Sequence, residues 1–178
     1  MIFHSTSLPG AFILEIEPQN DERGFFARTF CTRELATHGL DTRIDQCSIS
    51  FNNKAGTLRG MHFQAQPHEE AKLVRCTAGV IFDVIIDLRA SSGTRGCWFG
   101  VELSEKNHKA LFVPKGFAHG FLTLADRTEV FYQISVPFVP NSGRGIRWND
   151  PAIGIVWPMQ PSIISERDAS YPSLAGFG

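Results

Sequence analysis

Two histidines lie in short segments that could place an imidazole beside a bound molecule. His62 follows Gly60 in Leu58–Gln64 (LRGMHFQ), and His119 ends Pro114–His119 (PKGFAH). Imidazole changes its charge near neutral pH and serves as general acid, general base or metal ligand. A glycine close to a histidine in a strand suggests that another group approaches the backbone there. Taken alone, a histidine such as His62 is more often structural, so the surrounding motifs must decide.

The two histidines belong to a chain of short strands that must position them. Phenylalanine and glycine are abundant, at 15 and 16 residues, and only 20% of residues are charged. Strands are predicted at Ala11–Ile16, Cys47–Phe51, Leu58–Gln64, Leu73–Thr77, Val80–Leu88, Trp98–Leu103, Ala110–Val113, Gly120–Leu124 and Glu129–Ser135. Short strands at such even spacing indicate an antiparallel sandwich or barrel. One short helix is predicted at Thr32–His38, capped by Thr32 and ended by Gly39.

Alternation along Leu58–Gln64 predicts which side chains share a face. In a regular strand, Arg59, Met61 and Phe63 point one way. Leu58, Gly60, His62 and Gln64 then point the other way. The prediction separates Arg59 from His62.

Length and composition narrow the class of protein. The 178 residues predict a single domain over 1–178, with an irregular tail from about Pro158. The net charge of −1 lacks the excess of positive charge that is typical of general nucleic-acid binding. No apolar run approaches the ~20 residues of a membrane span, and the N-terminus does not resemble a signal peptide. Four scattered cysteines suggest free thiols, so a cytoplasmic protein without nucleic-acid or membrane partners is expected.

The string PKGFAH matches the P-x-G-x-x-H pattern of the second cupin motif. The resemblance implies an all-β fold, a cupin-type jelly-roll β-sandwich or barrel with short peripheral helices. The first cupin motif is incomplete, because the next histidine after His62 is His68. A cupin metal takes about three histidines and a carboxylate, and only His62 and His119 are in place. No metal and no other cofactor is therefore expected.

Six strings in order carry a more specific resemblance. They are DERGFF at 21–26, LRGMHFQ at 58–64, KLVR at 72–75, FDV with DLR at 82–89, VPKGFAHGF at 113–121 and RWNDP at 147–151. Together they closely resemble the dTDP-4-dehydrorhamnose 3,5-epimerases, metal-free cupins that act on nucleotide sugars. The resemblance extends from about Phe3 to Asp168.

The resemblance implies a role for each of four residues. His62 corresponds to the base that removes a proton next to the 4-keto group, and Asp168 corresponds to its partner carboxylate. Tyr132 corresponds to the acid, and Lys72 to the lysine near the C4 oxygen. Without the resemblance, Tyr132 would be a core aromatic residue and Lys72 part of a solvated strand face.

The resemblance also implies a substrate-binding set and a homodimer. The set is Arg23, Phe26, Arg28, Gln46, Ser48, Arg59, His119, Phe138, Gly143 and Arg167. Within it, Arg23 and Phe26 are expected to reach the site of the partner subunit. Arg28 and Gly143 stand where well-known members have glutamates near the base, Phe138 replaces a stacking tyrosine, and Ser48 replaces an asparagine. These replacements concern recognition of the nucleotide base more than the reaction.

The expected function is epimerisation at C3 and C5 of dTDP-4-dehydro-6-deoxy-D-glucose, giving dTDP-4-dehydro-L-rhamnose for surface polysaccharide synthesis. One alternative is a monofunctional 3- or 5-epimerase, or an enzyme that uses another nucleotide. A second is a cupin that only binds a sugar nucleotide, or a metal-dependent oxygenase or isomerase. The set of His62, Lys72 and Tyr132 favours catalysis, because a binding module does not need it.

Overall fold

Short β-strands dominate the computed structural model of the chain, which describes residues 1–176. The strands are β1 (Ile2–Ser5), β2 (Phe12–Glu15), β3 (Gln19–Asp21), β4 (Gly24–Phe26), β5 (Gln46–Asn52), β6 (Thr57–Gln64), β7 (Lys72–Ala78), β8 (Val80–Asp87), β9 (Trp98–Ser104), β10 (Ala110–Val113), β11 (Phe117–Thr123), β12 (Thr128–Ile134), β13 (Gly143–Gly145) and β14 (Ile163–Ile164). The helices are α1 (Thr32–Thr37) and α2 (Glu166–Ala169), and a 3₁₀ turn spans Leu174–Gly176.

The strands form two large sheets and one separate hairpin. The first sheet has the order β1-β2-β10-β7-β12-β5. The second has the order β13-β6-β11-β8-β9, and β14 pairs with β6 in parallel. All other pairings are antiparallel, and β3 and β4 pair only with each other. The hairpin is strongly exposed, because all six residues of its two strands face solvent.

A buried apolar cluster contains residues from both sheets. Val74 and Val130 come from the first sheet, and Ile85 and Phe121 come from the second. All four are at most 1% exposed. Burial of such side chains contributes roughly 1.5–3 kcal/mol each, so this cluster holds the sheets together.

All nine predicted strands are present, most with ends shifted by one residue. Alternation missed the short strands β1, β3, β4, β13 and β14, which are too brief to show a period. The predicted helix is present, but the prediction of Thr32 as its N-cap is wrong. Cys31 is the N-cap, and its side chain makes no capping hydrogen bond. Beyond Pro158, where an irregular tail was predicted, the chain forms β14 and α2.

Strand β6 contains an irregularity that shapes the site. Its pairing with β11 joins His62 to His119 but Arg59 to Phe121, so three steps on β6 match two on β11. Such a bulge breaks the alternation of faces. The predicted separation of Arg59 from His62 is therefore wrong, since both side chains line the same cleft.

Two glycines allow the strands to meet at this bulge. Gly60 has φ +146°, and a Cβ there would lie 2.6 Å from the Gly120 Cα atom. The group that approaches the Gly60 backbone is thus strand β11. A side chain at this position would meet backbone, which cannot move aside as a flexible side chain would.

We predict that Gly60→Ala destabilises the fold by about 2–4 kcal/mol, because it combines backbone strain with overpacking. Urea unfolding would measure the change. Gly93→Ala is the matched control, since a Cβ at Gly93 has no neighbour within 4 Å, and it should shift the free energy of unfolding by less than about 0.5 kcal/mol. Equal stability of the two variants would contradict the proposed importance of the Gly60–Gly120 contact.

Candidate active site

A cleft of about 420 Å³ opens between the two sheets. Strands β5, β7 and β12 supply one wall, and β6, β11 and β13 supply the other. Ten of the predicted site residues line it: Gln46, Ser48, Arg59, His62, Lys72, His119, Tyr132, Phe138, Gly143 and Arg167. The fold therefore brings together residues from six strands, the loop between β12 and β13, and helix α2.

His62, near the end of strand β6, forms a hydrogen-bonded pair with Asp168 of helix α2. His62 Nε2 lies 2.8 Å from Asp168 Oδ1, and Asp168 Oδ2 accepts the Gly60 N–H at 3.0 Å. Ser165 caps the short helix α2 and accepts the Asp168 N–H. An ionised carboxylate only accepts hydrogen bonds, so in the neutral imidazole Nε2 carries the proton and Nδ1 has the lone pair. His62 thus has the form of a general base.

Asp168 is held in its ionised form. Burial by itself would raise the pKa of Asp168, but the hydrogen bond from His62, the charge of a protonated His62 and the Gly60 N–H together lower that pKa below 3.8. An ionised Asp168 stabilises the imidazolium that forms when His62 takes a proton.

A second histidine–carboxylate pair lies beside the first. His119 is the cross-strand partner of His62, and its Nε2 lies 2.7 Å from Asp83 Oδ1. Both residues are buried, with Asp83 fully inaccessible to solvent. The sequence left Asp83 without an assigned role, although its place in the alternating strand β8 was visible. Its structural effect is to orient the imidazole of His119 toward the cleft.

Tyr132 extends from the opposite sheet. Its ring packs edge-on against His119, with centroids 5.9 Å apart. Burial raises the pKa of Tyr132 well above 10, and the charge of Asp83 raises it further, whereas Arg59 lowers it. The phenol therefore stays protonated at neutral pH and has a proton to give.

Lys72 is paired with a residue that sequence reasoning missed. Its Nζ atom lies 2.7 Å from Glu70 Oε1, and both side chains are largely buried. The signal was available, since Glu70 stands two residues before Lys72 and an extended chain places such residues on one side.

The rest of the cleft is rich in arginine. Arg59 lies within it and is held by Asn52 Oδ1 at 2.8 Å. Arg144, which was not predicted, and Arg167 line the outer part beside Phe138. Guanidinium groups in a partly desolvated cleft suit a phosphate or diphosphate.

Three predicted residues lie outside the cleft of their own chain. Arg23 pairs with Asp21 on the hairpin, and Phe26 is 76% exposed. Arg28 forms an ion pair with Glu34 at 2.9 Å. Within a single chain, these three residues therefore do not reach the cleft.

Residues 1–176 contain neither a metal-binding cluster nor a membrane-spanning helix. Across residues 1–176, no three His, Cys, Asp or Glu side chains are grouped so as to hold a metal ion. No helix in that range is long and apolar enough to cross a membrane.

Fold and site together define a class: a cupin-type β-sandwich with acid–base side chains in a cleft between its sheets. The family model described as dTDP-4-dehydrorhamnose 3,5-epimerase matches residues 5–176. The chain belongs to this family, which confirms the resemblance and the predicted cupin-type fold class.

Individual relatives agree over nearly the full length. A dTDP-4-dehydrorhamnose 3,5-epimerase of Methanothermobacter thermautotrophicus is 45% identical over 175 residues, covering 97% of this chain and 94% of the relative. The crystal structure of the Bacillus anthracis enzyme, with TDP and PPi bound, is 39% identical with a TM-score of 0.93, covering 97% and 98% of the two chains. The Legionella pneumophila enzyme in complex with dTDP-4-keto-L-rhamnose is 36% identical with a TM-score of 0.91, covering 98% and 93%.

We predict that Asp168 contributes stability that depends on pH. Its pKa is lower in the folded state than the usual 3.8, so its contribution is present above about pH 4 and is lost as the pH falls through the folded-state pKa. The loss of unfolding free energy in Asp168→Asn should therefore be larger at pH 5 than at pH 3, as measured by urea unfolding.

The control is Glu166→Gln on the same helix, whose side chain is exposed. It should show little difference from the wild type at either pH. A gap between Asp168→Asn and the wild type that stays the same from pH 5 to pH 3 would contradict the role of the ionised carboxylate.

Proposed function

We propose that the protein epimerises C3 and C5 of dTDP-4-dehydro-6-deoxy-D-glucose, giving dTDP-4-dehydro-L-rhamnose. The observation that carries the proposal is the His62–Asp168 pair at 2.8 Å in one cleft with Lys72 and Tyr132. Family membership supports the same reaction. The carbonyl at C4 acidifies the C–H bonds on both sides, so proton removal and return require neither oxidation nor reduction.

His62 acts as the base in this mechanism. Its Nδ1 atom removes the proton from the carbon next to the carbonyl, and Asp168 stabilises the imidazolium formed. Lys72 donates to the C4 oxygen and stabilises the enolate. Tyr132 then protonates the carbon from the other side.

The placement of base and acid suits an inversion. His62 lies on β6 of one sheet, and Tyr132 lies on β12 of the other. Inversion requires the proton to leave one face of the carbon and return to the opposite face. A sugar ring held between the sheets presents one face to each residue.

The nucleotide and diphosphate occupy the outer cleft in this proposal. Arg59 and Arg167 contact phosphate oxygens, with His119, Gln46 and Ser48 completing the polar wall. Phe138, 63% exposed, offers a ring for stacking on the base. Gly143 leaves the space between Phe138 and Arg167 unfilled, since a Cβ there would lie 3.4 Å from the Arg167 guanidinium.

A homodimer completes the site. The hairpin that carries Arg23 and Phe26 projects into solvent and lies outside its own cleft, which fits a segment that reaches a partner. Arg28 adjoins this hairpin and belongs to the same contribution. We place the reaction in the cytoplasm, a reducing compartment that suits four free cysteines.

The test is proton exchange at C3 and C5 of the 4-keto sugar in D₂O, followed by NMR. The wild type should exchange and invert both carbons. Exchange at only one carbon would instead identify a monofunctional epimerase. No exchange at either carbon would favour a protein that only binds a sugar nucleotide. Activity lost to a chelator and restored by one divalent ion would support the metal-dependent alternative.

We predict different outcomes for the base and the acid in this assay. His62→Ala should lose exchange at both carbons by about 10²–10⁴-fold, the range of a general base. Tyr132→Phe keeps the ring but has no proton to give. It should still take up deuterium from the His62 side while its inversion falls by a similar factor. Inversion at the wild-type rate in Tyr132→Phe would remove Tyr132 from the role of acid.

We predict that Arg23 acts across the dimer. Arg23→Ala and His62→Ala should each be weakly active alone. A heterodimer of the two holds one intact site, made of His62 from one chain and Arg23 from the other. An equal mixture after subunit exchange should therefore recover about a quarter of the wild-type rate, assuming random pairing into closed dimers. A mixture no more active than its components would show that Arg23 does not complete the partner's site.

A further inference from the structure

Glu70 is a carboxylate in the cleft that the proposed mechanism does not use. Its Oε1 atom lies 2.7 Å from Lys72 Nζ, and the two side chains are 13% and 10% exposed. Within residues 1–176, Glu70 is the only ion-pair partner of Lys72. The cleft is otherwise cationic, so a carboxylate at this depth calls for an explanation.

Glu70 is itself fixed by a buried amide. Its Oε2 atom accepts the Gln64 Nε2 donor at 3.0 Å. Gln64 is 4% exposed, and its Oε1 atom accepts from the Val139 N–H at 2.8 Å and from the Ser142 hydroxyl at 2.7 Å. Both oxygens of Glu70 are therefore occupied, and its orientation is set by β6 and the segment 139–142.

A lysine that stabilises an enolate has to be held still. Its four-carbon stem has many rotamers, and holding such a side chain in one of them costs conformational entropy. An ammonium group has three donors. One donor is used by Glu70, which leaves two for an oxygen of a bound molecule.

The charge of Glu70 by itself would work against catalysis. A carboxylate next to Lys72 reduces the positive potential that an enolate oxygen meets. Nor is a buried ion pair strong grounds for added stability, because apolar replacements are often neutral or stabilising. The benefit that remains is geometric: Glu70 fixes the position of the Lys72 ammonium group.

We propose that Glu70 is a positioning residue that holds the ammonium of Lys72 where the C4 oxygen of the 4-keto sugar binds. This inference rests on the proposed function. Glu70 touches Lys72 and Gln64, and it acts on the reaction only through Lys72.

The variant that tests this is Glu70→Gln, which keeps the shape but replaces the charge-assisted hydrogen bond to Lys72 with a weaker neutral one, so the ammonium is held less firmly. We expect kcat to fall about tenfold with KM changed less than about twofold, because the interaction matters most when the enolate forms. Glu69→Gln is the control: it removes the same charge one residue away, from a side chain outside the cleft lining, and should leave both constants unchanged.

A double-mutant cycle separates positioning from a general structural role. If Glu70 acts through Lys72, Glu70→Gln should have no further effect on C3 and C5 exchange in a Lys72→Ala background. The same tenfold loss in both backgrounds would overturn the proposal. So would an unchanged kcat in Glu70→Gln with Lys72 present.

A readout without substrate distinguishes failure of this step from failure of the proposed function. The ¹⁵N signal of the Lys72 ammonium, assigned by its loss in Lys72→Ala, should be sharp in the wild type and broadened in Glu70→Gln. A broad signal in an active wild type would overturn the positioning role of Glu70 and leave the proposed function standing. A sharp signal in a wild type that does not exchange the sugar protons would confirm the contact but reject the proposed function, and the role toward the C4 oxygen with it.

Discussion

The contact between Gly60 and Gly120 is the constraint on which the site depends. Two strands approach there until their backbones touch, and only glycine at both positions permits it. The resulting bulge turns Arg59 and His62 to the same side and aligns His62 with His119. The Gly60 N–H also donates to Asp168, so one local feature places His62, orients its partner carboxylate and brings Arg59 into the cleft.

Three basic side chains of the cleft, His62, His119 and Lys72, are each held by a carboxylate. Asp168 holds His62, Asp83 holds His119, and Glu70 holds Lys72, all at 2.7–2.8 Å. In a partly desolvated site, such pairs fix both geometry and protonation more firmly than they would in water. The carboxylates thus keep side chains that would otherwise be mobile ready for a substrate, which reduces the reorganisation needed during the reaction.

The sandwich separates the tasks of the two sheets. The sheet with β6 and β11 carries both histidines, and the sheet with β7 and β12 carries Lys72 and Tyr132. A buried core between the sheets keeps these groups at a constant spacing. The exposed hairpin of β3 and β4 lies apart from this frame.

The sequence by itself determined the strand pattern, the family and most of the residues in the cleft. Short apolar segments between turn residues revealed the longer strands. The ordered motifs located His62 and Lys72, and the family resemblance added Tyr132. Only the tertiary structure decided which groups meet. The Asp83–His119 pair and the place of Arg144 depend on contacts between elements. The shared face of Arg59 and His62 depends on a bulge that period-two alternation cannot represent, because the extra residue is defined only by the pairing with β11.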